Sequence, residues 1–249
     1  MPGSHGGIAA SPGRNRLVRG PGRLLLLLAA ISLQAQTSEP GYWAPFKGFP
    51  KAFVEDQKAI WTAPVHSSKK DIKWWVIFGG ATAALIATDA RVMEHVPTSG
   101  TVVNTGTNIS NVAAYAVVPI SAALYFGGTH AGDQRMRETG YLGMEALADA
   151  WVVSTALKAM TLRERPDEGN GNGSFWQGSA WDGSFPSGHA IESWSLATVI
   201  AREYRHKKWV PVTAYSLAAT VSVSRILARR HFPSDVVVGS ALGWFIGRR

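Results

Sequence analysis

The sequence predicts an all-α protein, a single helical bundle of about six core helices with a functional site at one end. Six apolar segments rich in Ala, Leu, Val and Trp are too long for typical strands, which favours helices. Polar or glycine-rich stretches separate these segments, and no obvious linker divides the 249 residues into several domains. The segments are 73–89, 110–127, 141–162, 189–204, 209–227 and 235–247.

The chain before the bundle divides into two regions. Residues 1–36 are predicted to be a signal peptide, because arginines precede an apolar run of about ten residues and Ala35 offers a small residue for cleavage. That run is well short of the roughly 20 residues that span a bilayer, and an uncleaved membrane anchor is the alternative. Residues 37–72 are predicted to form an N-terminal wrapping segment with a short amphipathic helix. Residues 73–249 would then form the helical domain.

The composition of the chain limits the kinds of metal site it can form and the kinds of partner it can bind. The chain has no cysteine, which excludes disulfides and thiolate metal sites, and no histidine or carboxylate cluster has metal-ligand spacing. The net charge is +8, but four of the excess charges are arginines before residue 36. The modest, scattered remainder favours an anionic substrate or a lipid surface and gives no indication of a nucleic-acid partner. Nothing in the sequence indicates an oligomeric state.

The apolar segments are compatible with two environments. Basic clusters fall on alternate connections, as the positive-inside rule requires of a membrane protein. Acidic side chains in or near the segments would be costly in lipid, however, and signal cleavage conflicts with six full spans and an outward-facing site. The sequence therefore narrowly favours an exported domain on the periplasmic side of the envelope, soluble or peripheral, over an integral membrane protein. The acidic residues are Asp89, Glu145, Asp149 and Glu192.

The first of three notable polar segments is Lys158…Arg165-Pro166, at the end of the third apolar segment. A spacing of seven residues is two helical turns, so both cations are predicted to leave one face of a helix that Pro166 ends. Lysine supplies a mobile point charge, and arginine supplies a planar fork that matches two phosphate oxygens. Alone, the pattern is also consistent with a solvated helix end, with Arg163 facing water.

The stretch 167–183 is rich in glycine and superficially resembles a nucleotide-binding loop. It neither follows a predicted strand nor opens a helix, so the dinucleotide fingerprint lacks its structural context. We predict a flexible connection at the lip of the site. Within it, Phe175, Trp176 and Trp181 would either shape substrate access or cap the core.

The second polar segment is Pro186-Ser187-Gly188-His189, directly before the fourth apolar segment. A turn that opens a helix presents free backbone N–H groups, which favour a bound anion. Gly188 allows the backbone to approach a ligand closely, and Ser187 adds a hydroxyl donor. His189 can donate a proton near neutral pH. The simpler alternative is a serine N-cap followed by a surface histidine.

The third polar segment, 224–235, carries Arg225, His231 and Asp235. Arg225 can supply a second guanidinium fork to an anion. His231 and Asp235 are four residues apart, so the carboxylate is predicted to accept the ring N–H if the turn is helix-like. That hydrogen bond would fix the tautomer and leave the other ring nitrogen ready to attack. A structural histidine–aspartate hydrogen bond is the alternative.

Taken in order, Lys-x6-Arg-Pro, Pro-Ser-Gly-His and Ser-Arg-x5-His-x3-Asp resemble the signature of the type 2 phosphatidic acid phosphatase and vanadium haloperoxidase superfamily. Every signature position is present, over residues 158–235. The resemblance implies that His231 is the nucleophile, Asp235 its orienting partner and His189 the general acid. It also implies no metal, with vanadate binding as a phosphate mimic. The phosphate-binding residues implied by the resemblance are Lys158, Arg165, Ser187, Gly188 and Arg225.

The function that this resemblance implies is a metal-independent phosphatase. It would hydrolyse a phosphomonoester or pyrophosphate, with lipid phosphates among the candidates, through a phosphohistidine intermediate. Two alternatives stay open: a vanadate-dependent haloperoxidase, and a non-catalytic envelope protein that binds lipid phosphates. The sequence does not distinguish a lipid substrate from an isoprenyl pyrophosphate or a soluble phosphomonoester.

Overall fold

The computed structural model describes residues 45–249, and within that range the chain forms seven α-helices, one short 3-10 turn and no strand. The all-α prediction is therefore confirmed. Each of the six predicted segments coincides with one of the helices α2 to α7, and α1 falls within the predicted wrapping segment. The predicted signal peptide, 1–36, lies outside the described residues. The helices are α1 Phe49–Thr62, α2 Lys69–Glu94, α3 Gly100–Ala131, α4 Gln134–Thr161, α5 Gly188–Glu203, α6 Trp209–Leu227 and α7 Pro233–Ile246.

Helix α4 shows why the boundaries differ from the apolar segments. It begins seven residues earlier than its apolar segment, because the side chain of Asp133 accepts a hydrogen bond from the backbone N–H of Met136 at 3.0 Å and caps the helix. Its first two turns are mostly polar and therefore carry no apolar signal. The helix ends at Thr161, since Leu162 has a left-handed backbone with φ of 44°.

The core of the bundle surrounds α5, which packs against α3, α4, α6 and α7. Ile191 and Val199 on its buried face contact apolar side chains of α1, α4 and α7. Helix α7 approaches the start of α5 closely because residue 239 is glycine. A Cβ atom at Gly239 would lie 2.7 Å from the carbonyl oxygen of Ser187, inside van der Waals contact. This contact places the second turn of α7 beside the start of α5.

The surface of the bundle shows that the environment predicted from the sequence is wrong. Helices α2, α3 and α6 are each long enough and apolar enough to cross a bilayer. Their large apolar side chains point outward, including Trp74 on α2, Tyr115 on α3 and Leu217 on α6. Soluble proteins rarely expose apolar surface on this scale. The finding overturns the prediction of a soluble or peripheral protein and indicates an integral membrane protein.

Three of the four acidic residues that argued against a membrane are buried in the bundle, and the fourth, Glu192, is half-buried. Asp89 lies on α2 but is only 1% exposed, and its carboxylate pairs with the guanidinium of Arg163. Glu145 and Asp149 are also buried in the bundle. The predicted segment 110–127 was too short because it is only the middle of a 32-residue helix. A charged side chain buried in the protein core is compatible with a membrane span, since the large free-energy cost applies to charged side chains that contact lipid.

Candidate active site

The three polar segments meet at one end of the bundle, where α4 and α6 end and α5 and α7 begin. The backbone N–H of Ser187 donates to the carbonyl oxygen of Asp235 at 3.0 Å, which joins the second segment to the third. The predicted site residues come from six parts of the chain: Lys158 from the end of α4, Arg165 from the α4–α5 connection, Ser187, Gly188 and His189 from the start of α5, Arg225 from the end of α6, His231 from the α6–α7 connection, and Asp235 from the start of α7.

The first segment is built differently from the sequence prediction. Because α4 ends at Thr161, Lys158 and Arg165 do not share a helix face, and Pro166 does not end the helix. Arg165 lies in the connection that follows, where it donates to the carbonyl oxygens of Asp182 at 2.9 Å and Arg230 at 2.8 Å. A further N–H group pairs with the Asp182 carboxylate at 2.6 Å. Two of the five guanidinium N–H groups remain for a ligand.

The lysine of the first segment is held close to the start of α5. Lys158 Nζ donates to the carbonyl oxygen of Gly183 at 2.6 Å, which leaves two of its three N–H groups for other acceptors. A Cβ atom built on Gly188 would lie 3.9 Å from Lys158 Cε, so the ammonium stem passes directly over this glycine. Burial, followed by the charge of Arg165, lowers the pKa of Lys158 to about 8.

Two donors in the site are buried and have no hydrogen-bond partner among residues 45–249. They are the hydroxyl of Ser187 and Nε of Arg225. Ser187 occupies the N-cap position of α5, but its side chain makes no capping hydrogen bond, contrary to the simpler interpretation of that residue. Arg225 uses one N–H group to donate to Ser110 Oγ at 2.9 Å. Such orphan donors cost stability unless a ligand satisfies them.

Lys158, Arg165, Ser187, Gly188 and Arg225 together form what we call the anion cradle. It combines three cations with a buried hydroxyl and the free backbone N–H groups that open α5. All three cations act on both imidazoles, since the charges of Lys158, Arg165 and Arg225 each lower the pKa of His189 and of His231. The charges of the anion cradle therefore act on both histidines.

Both histidines are neutral at physiological pH. Burial is the main cause, and the surrounding cations add to it, so that the pKa of His189 falls to about 3. The pKa of His231, which is fully buried, lies well below its ordinary value for the same reasons. A neutral imidazole has one unprotonated nitrogen, which is the form required of a nucleophile or a base.

The tautomer of His231 is set by a backbone carbonyl. His231 Nδ1 lies 2.7 Å from the carbonyl oxygen of Ser184, which can only accept, so Nδ1 carries the proton and Nε2 is free. The Asp235 carboxylate lies 3.7 Å from Nδ1, beyond hydrogen-bond distance. The predicted direct hydrogen bond from His231 to Asp235 is therefore wrong. Asp235 instead accepts from the hydroxyl of Ser184 at 2.6 Å.

Several residues that shape the site were missed or misjudged from the sequence. Arg163 was interpreted as a solvated neighbour of Arg165, yet its side chain is fully buried and pairs with both Asp89 and Asp235. Asp89 carried a signal, since an acid inside an apolar run requires a partner. No pattern in the sequence indicates that Ser110 orients Arg225, because a serine in an apolar helix is common.

The glycine-rich stretch is ordered by specific contacts and is not a simple flexible connection. Gly173 has φ of 68°, and a Cβ atom there would lie 2.4 Å from the ring of Phe232. Phe175 packs over the guanidinium of Arg163, with the ring centroid 4.9 Å from Cζ. Trp176 and Trp181 are 74% and 81% exposed, so neither caps the core. Within residues 45–249, no group of three or more His, Cys, Asp or Glu side chains is arranged to hold a metal ion.

Part of the chain is similar to proteins of a known family. The family model of the PAP2 superfamily matches residues 139–249. The chain is 31% identical over 143 residues to a lipid A 1-phosphatase of Porphyromonas gingivalis, covering 57% of this chain and 29% of that protein. It is 28% identical over 147 residues to a lipid A 1-phosphatase of Rhizobium etli, covering 52% and 61%. The chain thus spans less than two thirds of the length of either relative.

The bundle also matches a solved structure. The crystal structure of a transmembrane PAP2 type phosphatidylglycerolphosphate phosphatase from Bacillus subtilis superimposes with a TM-score of 0.51 at 20% sequence identity. The match covers 83% of this chain and 93% of that one, so the two share the fold. The segment matched by the family model contains all three polar motifs, from Lys158 to Asp235. Residues 139–249, somewhat less than half of the chain, thus match the PAP2 superfamily, and the motifs within them resemble those of the type 2 phosphatidic acid phosphatases.

Proposed function

We propose that this protein is a metal-independent phosphatase that hydrolyses a phosphomonoester or pyrophosphate of a membrane lipid through a phosphohistidine intermediate. One observation carries the proposal. The Ser187 hydroxyl and Arg225 Nε are buried without partners beside two neutral imidazoles. Each unsatisfied buried donor costs about 1–3 kcal/mol, which a phosphoryl group could recover because its three oxygens are strong acceptors. The three cations of the anion cradle fit the same charge.

In the first step, Nε2 of His231 attacks phosphorus in line with the leaving oxygen. A bond forms between Nε2 and phosphorus, while the bond from phosphorus to the leaving oxygen breaks. His189 donates a proton to that oxygen, so the product leaves as an alcohol from a phosphomonoester, or as a phosphomonoester from a pyrophosphate. The free enzyme holds His189 neutral, so the proton must be taken up with the substrate. The negative charge of a bound phosphate favours that uptake by raising the pKa of the imidazole.

In the second step, water attacks the phosphohistidine. His189, now neutral, accepts the proton of the attacking water, and the bond between phosphorus and Nε2 breaks. Inorganic phosphate leaves, and His231 regains its original tautomer. In both steps the anion cradle stabilises negative charge on the equatorial oxygens, where most of the catalysis of phosphoryl transfer arises.

Two facts support a lipid as the substrate. The site lies at one end of a bundle whose outer helices are apolar, so a lipid headgroup and the site can lie at the same level of a membrane. The similar proteins include two lipid A 1-phosphatases and a lipid A 4'-phosphatase, which makes lipid A the first substrate to test. Phosphatidylglycerolphosphate provides a comparison substrate without a sugar.

The test uses the full chain purified in detergent, with EDTA present. We expect inorganic phosphate release from a lipid phosphate, competitive inhibition by vanadate, and no release by His231→Ala. Substrate labelled on phosphorus should leave acid-labile, base-stable label on the protein, and the label should be absent from the same variant. His206→Ala is the matched control, because that exposed histidine lies in the α5–α6 connection, at the opposite end of α5 from His189. Turnover by the folded His231→Ala protein would disprove the nucleophile assignment.

A further inference from the structure

A fully buried arginine links two aspartates behind the anion cradle. Arg163 Nη2 lies 2.8 Å from the Asp89 carboxylate, and Nη1 lies 2.6 Å from the Asp235 carboxylate. Its Nε donates to the carbonyl oxygen of Gly173 at 3.2 Å. Its flat guanidinium also packs on the ring of Phe232, 4.3 Å from the centroid. Arg163 is therefore held on every side and makes no contribution to binding an anion.

The same network reaches the ring of His231 through Ser184. Asp235 Oδ2 accepts from the Ser184 hydroxyl at 2.6 Å and from the backbone N–H of Phe232 at 2.7 Å. The carbonyl oxygen of Ser184 then accepts the hydrogen bond from His231 Nδ1 at 2.7 Å. One residue thus connects the carboxylate to the imidazole, with its hydroxyl on one side and its carbonyl on the other.

We propose that Asp89, Arg163 and Ser184 are positioning residues for the nucleophile. Together with Asp235 they form what we call the positioning network. Asp235 fixes the Ser184 side chain, and the Ser184 carbonyl fixes the tautomer and orientation of His231. Arg163 pairs with the Asp235 carboxylate, and Asp89 holds Arg163 in place. This inference rests on the proposed function, because it assigns these residues a role in the attack by Nε2.

The network also makes α2 a part of the site, although α2 lies outside the segment that the family model matches. Besides pairing with Arg163, the Asp89 carboxylate accepts from the backbone N–H of Ser234 at 3.0 Å and from the Ser234 hydroxyl. On the other side of His231, Arg229 donates to the carbonyl oxygens of Met93 and Val96 at 3.1 Å each. The end of α2 and the residues just after it therefore contact the chain both before and after the nucleophile, at Arg229 and at Ser234.

The test compares three variants of the full chain in detergent. Ser184→Ala removes one hydroxyl and no charge, and Asp89→Asn removes one buried charge. Asp149→Asn is the matched control, because Asp149 is also a buried carboxylate on a helix. It accepts a hydrogen bond from the side-chain amide of Gln57 at 2.8 Å. The measurements are kcat on a lipid phosphate, the inhibition constant of sulfate, and the His231 tautomer from nitrogen NMR of histidine-labelled protein.

For Ser184→Ala and Asp89→Asn we expect kcat to fall by about 100-fold, the loss typical of a reacting group displaced by about 1 Å. The sulfate inhibition constant should stay within about threefold, because the anion cradle is untouched. The NMR spectra should show the Nδ1–H tautomer of His231 in the wild type and a mixture in both variants. Asp149→Asn should retain kcat and the tautomer.

Other outcomes would overturn the inference. Unchanged kcat and an unchanged tautomer in Ser184→Ala would show that the hydroxyl has no positioning role. Proportional changes in kcat and the sulfate inhibition constant, or an equal loss in Asp149→Asn, would indicate general loosening of the fold. If Asp89→Asn does not fold, Ser184→Ala decides alone. An inactive wild type would disprove the proposed function, while the tautomer would still test the network.

Discussion

Two neighbouring groups of buried polar residues, the positioning network and the anion cradle, satisfy their hydrogen bonds in opposite ways. In the network, Arg163 has a carboxylate on each side and a carbonyl oxygen at Nε. In the cradle, Arg225 has the neutral hydroxyl of Ser110 as its hydrogen-bond partner, and its Nε has none among residues 45–249. Both arginines are buried, so burial alone does not distinguish structural from ligand-binding cations.

The difference indicates separate roles for the two groups: the positioning network stabilises the fold, and the anion cradle binds the anion. A buried cation that is paired with carboxylates already stabilises the folded protein, so removing it destabilises the fold. A buried cation without a carboxylate has been desolvated without compensation, and it recovers that cost only when an anion binds. Substitutions in the two groups should therefore separate, with stability affected in one case and anion binding in the other.

The largest effect is expected for Arg163→Met. The variant leaves two buried carboxylates without their common cation, and breaking a buried ion pair in this way typically costs about 3–5 kcal/mol. For a chain of this size, that corresponds to a fall of about 6–20 °C in the thermal unfolding midpoint. The midpoint is measured in detergent, with Arg205→Met, a change of an exposed arginine, as the control. An unchanged midpoint would show that the two carboxylates do not depend on Arg163.

Arg225→Met provides the opposite half of the comparison. Losing a charge-assisted contact to the phosphoryl group should cost about 1.5–3 kcal/mol of transition-state stabilisation, or roughly 10-fold to 150-fold in kcat/KM. The sulfate inhibition constant should rise as well. The unfolding midpoint should stay at or above that of the wild type, because the variant removes an uncompensated buried charge. A large fall in the midpoint would mean that Arg225 is a structural cation like Arg163.

The sequence predicted the cradle better than the network, and the reason is physical. Ligand-binding residues such as Ser187 and Arg225 stand in short motifs, since a bound anion requires particular donors at fixed spacing. The network depends on pairing between distant parts of the chain, and Arg163 and Asp89 are 74 residues apart. Charge alone made Arg163 look solvated, because an isolated sequence does not show which helix covers it. The same limitation led to the wrong prediction of a soluble or peripheral protein.

The third motif shows a second limit of spacing arguments. His231 and Asp235 are four residues apart, which correctly places them side by side but does not decide which hydrogen bonds they make. Asp235 is the third residue of α7, and its carboxylate turns back to accept the backbone N–H of Phe232, as in a capping box. Helix capping thus holds the carboxylate at 3.7 Å from His231 Nδ1. The all-helical fold itself was predictable, because apolar segments of this length leave few alternatives.

A smaller effect should appear in the pH dependence of anion binding to the cradle. In the free protein the pKa of His189 is about 3, so binding a dianion that raises this pKa must draw in a proton at higher pH. Sulfate does not titrate in this range. Its affinity should therefore rise as pH falls, by up to about tenfold per unit between about pH 7 and pH 5. Inhibition constants measured at several pH values provide the test.

His189→Gln is the control for this pH dependence, because glutamine has no titratable proton. The variant should bind sulfate with a flat profile below pH 7. The charge of Lys158, whose pKa is about 8, contributes only above that range, since the ammonium is already protonated below it. An equal slope in the variant would assign the proton uptake to another group and would remove His189 from the role of general acid.

The smallest effect is expected for a substitution of Asp182, because its carboxylate competes with a bound anion for Arg165 of the anion cradle. In the free protein, Asp182 pairs with Arg165 at 2.6 Å, and its side chain is 57% exposed. Asp182→Asn should therefore tighten sulfate binding, by about twofold to fivefold, as expected for a partly exposed ion pair. Asp167→Asn is the control, because Asp167 pairs with Arg230 at 2.9 Å and is not a partner of Arg165. Weaker binding by Asp182→Asn would mean that the carboxylate orients Arg165 for the ligand, so that Arg165 would share the structural character of Arg163.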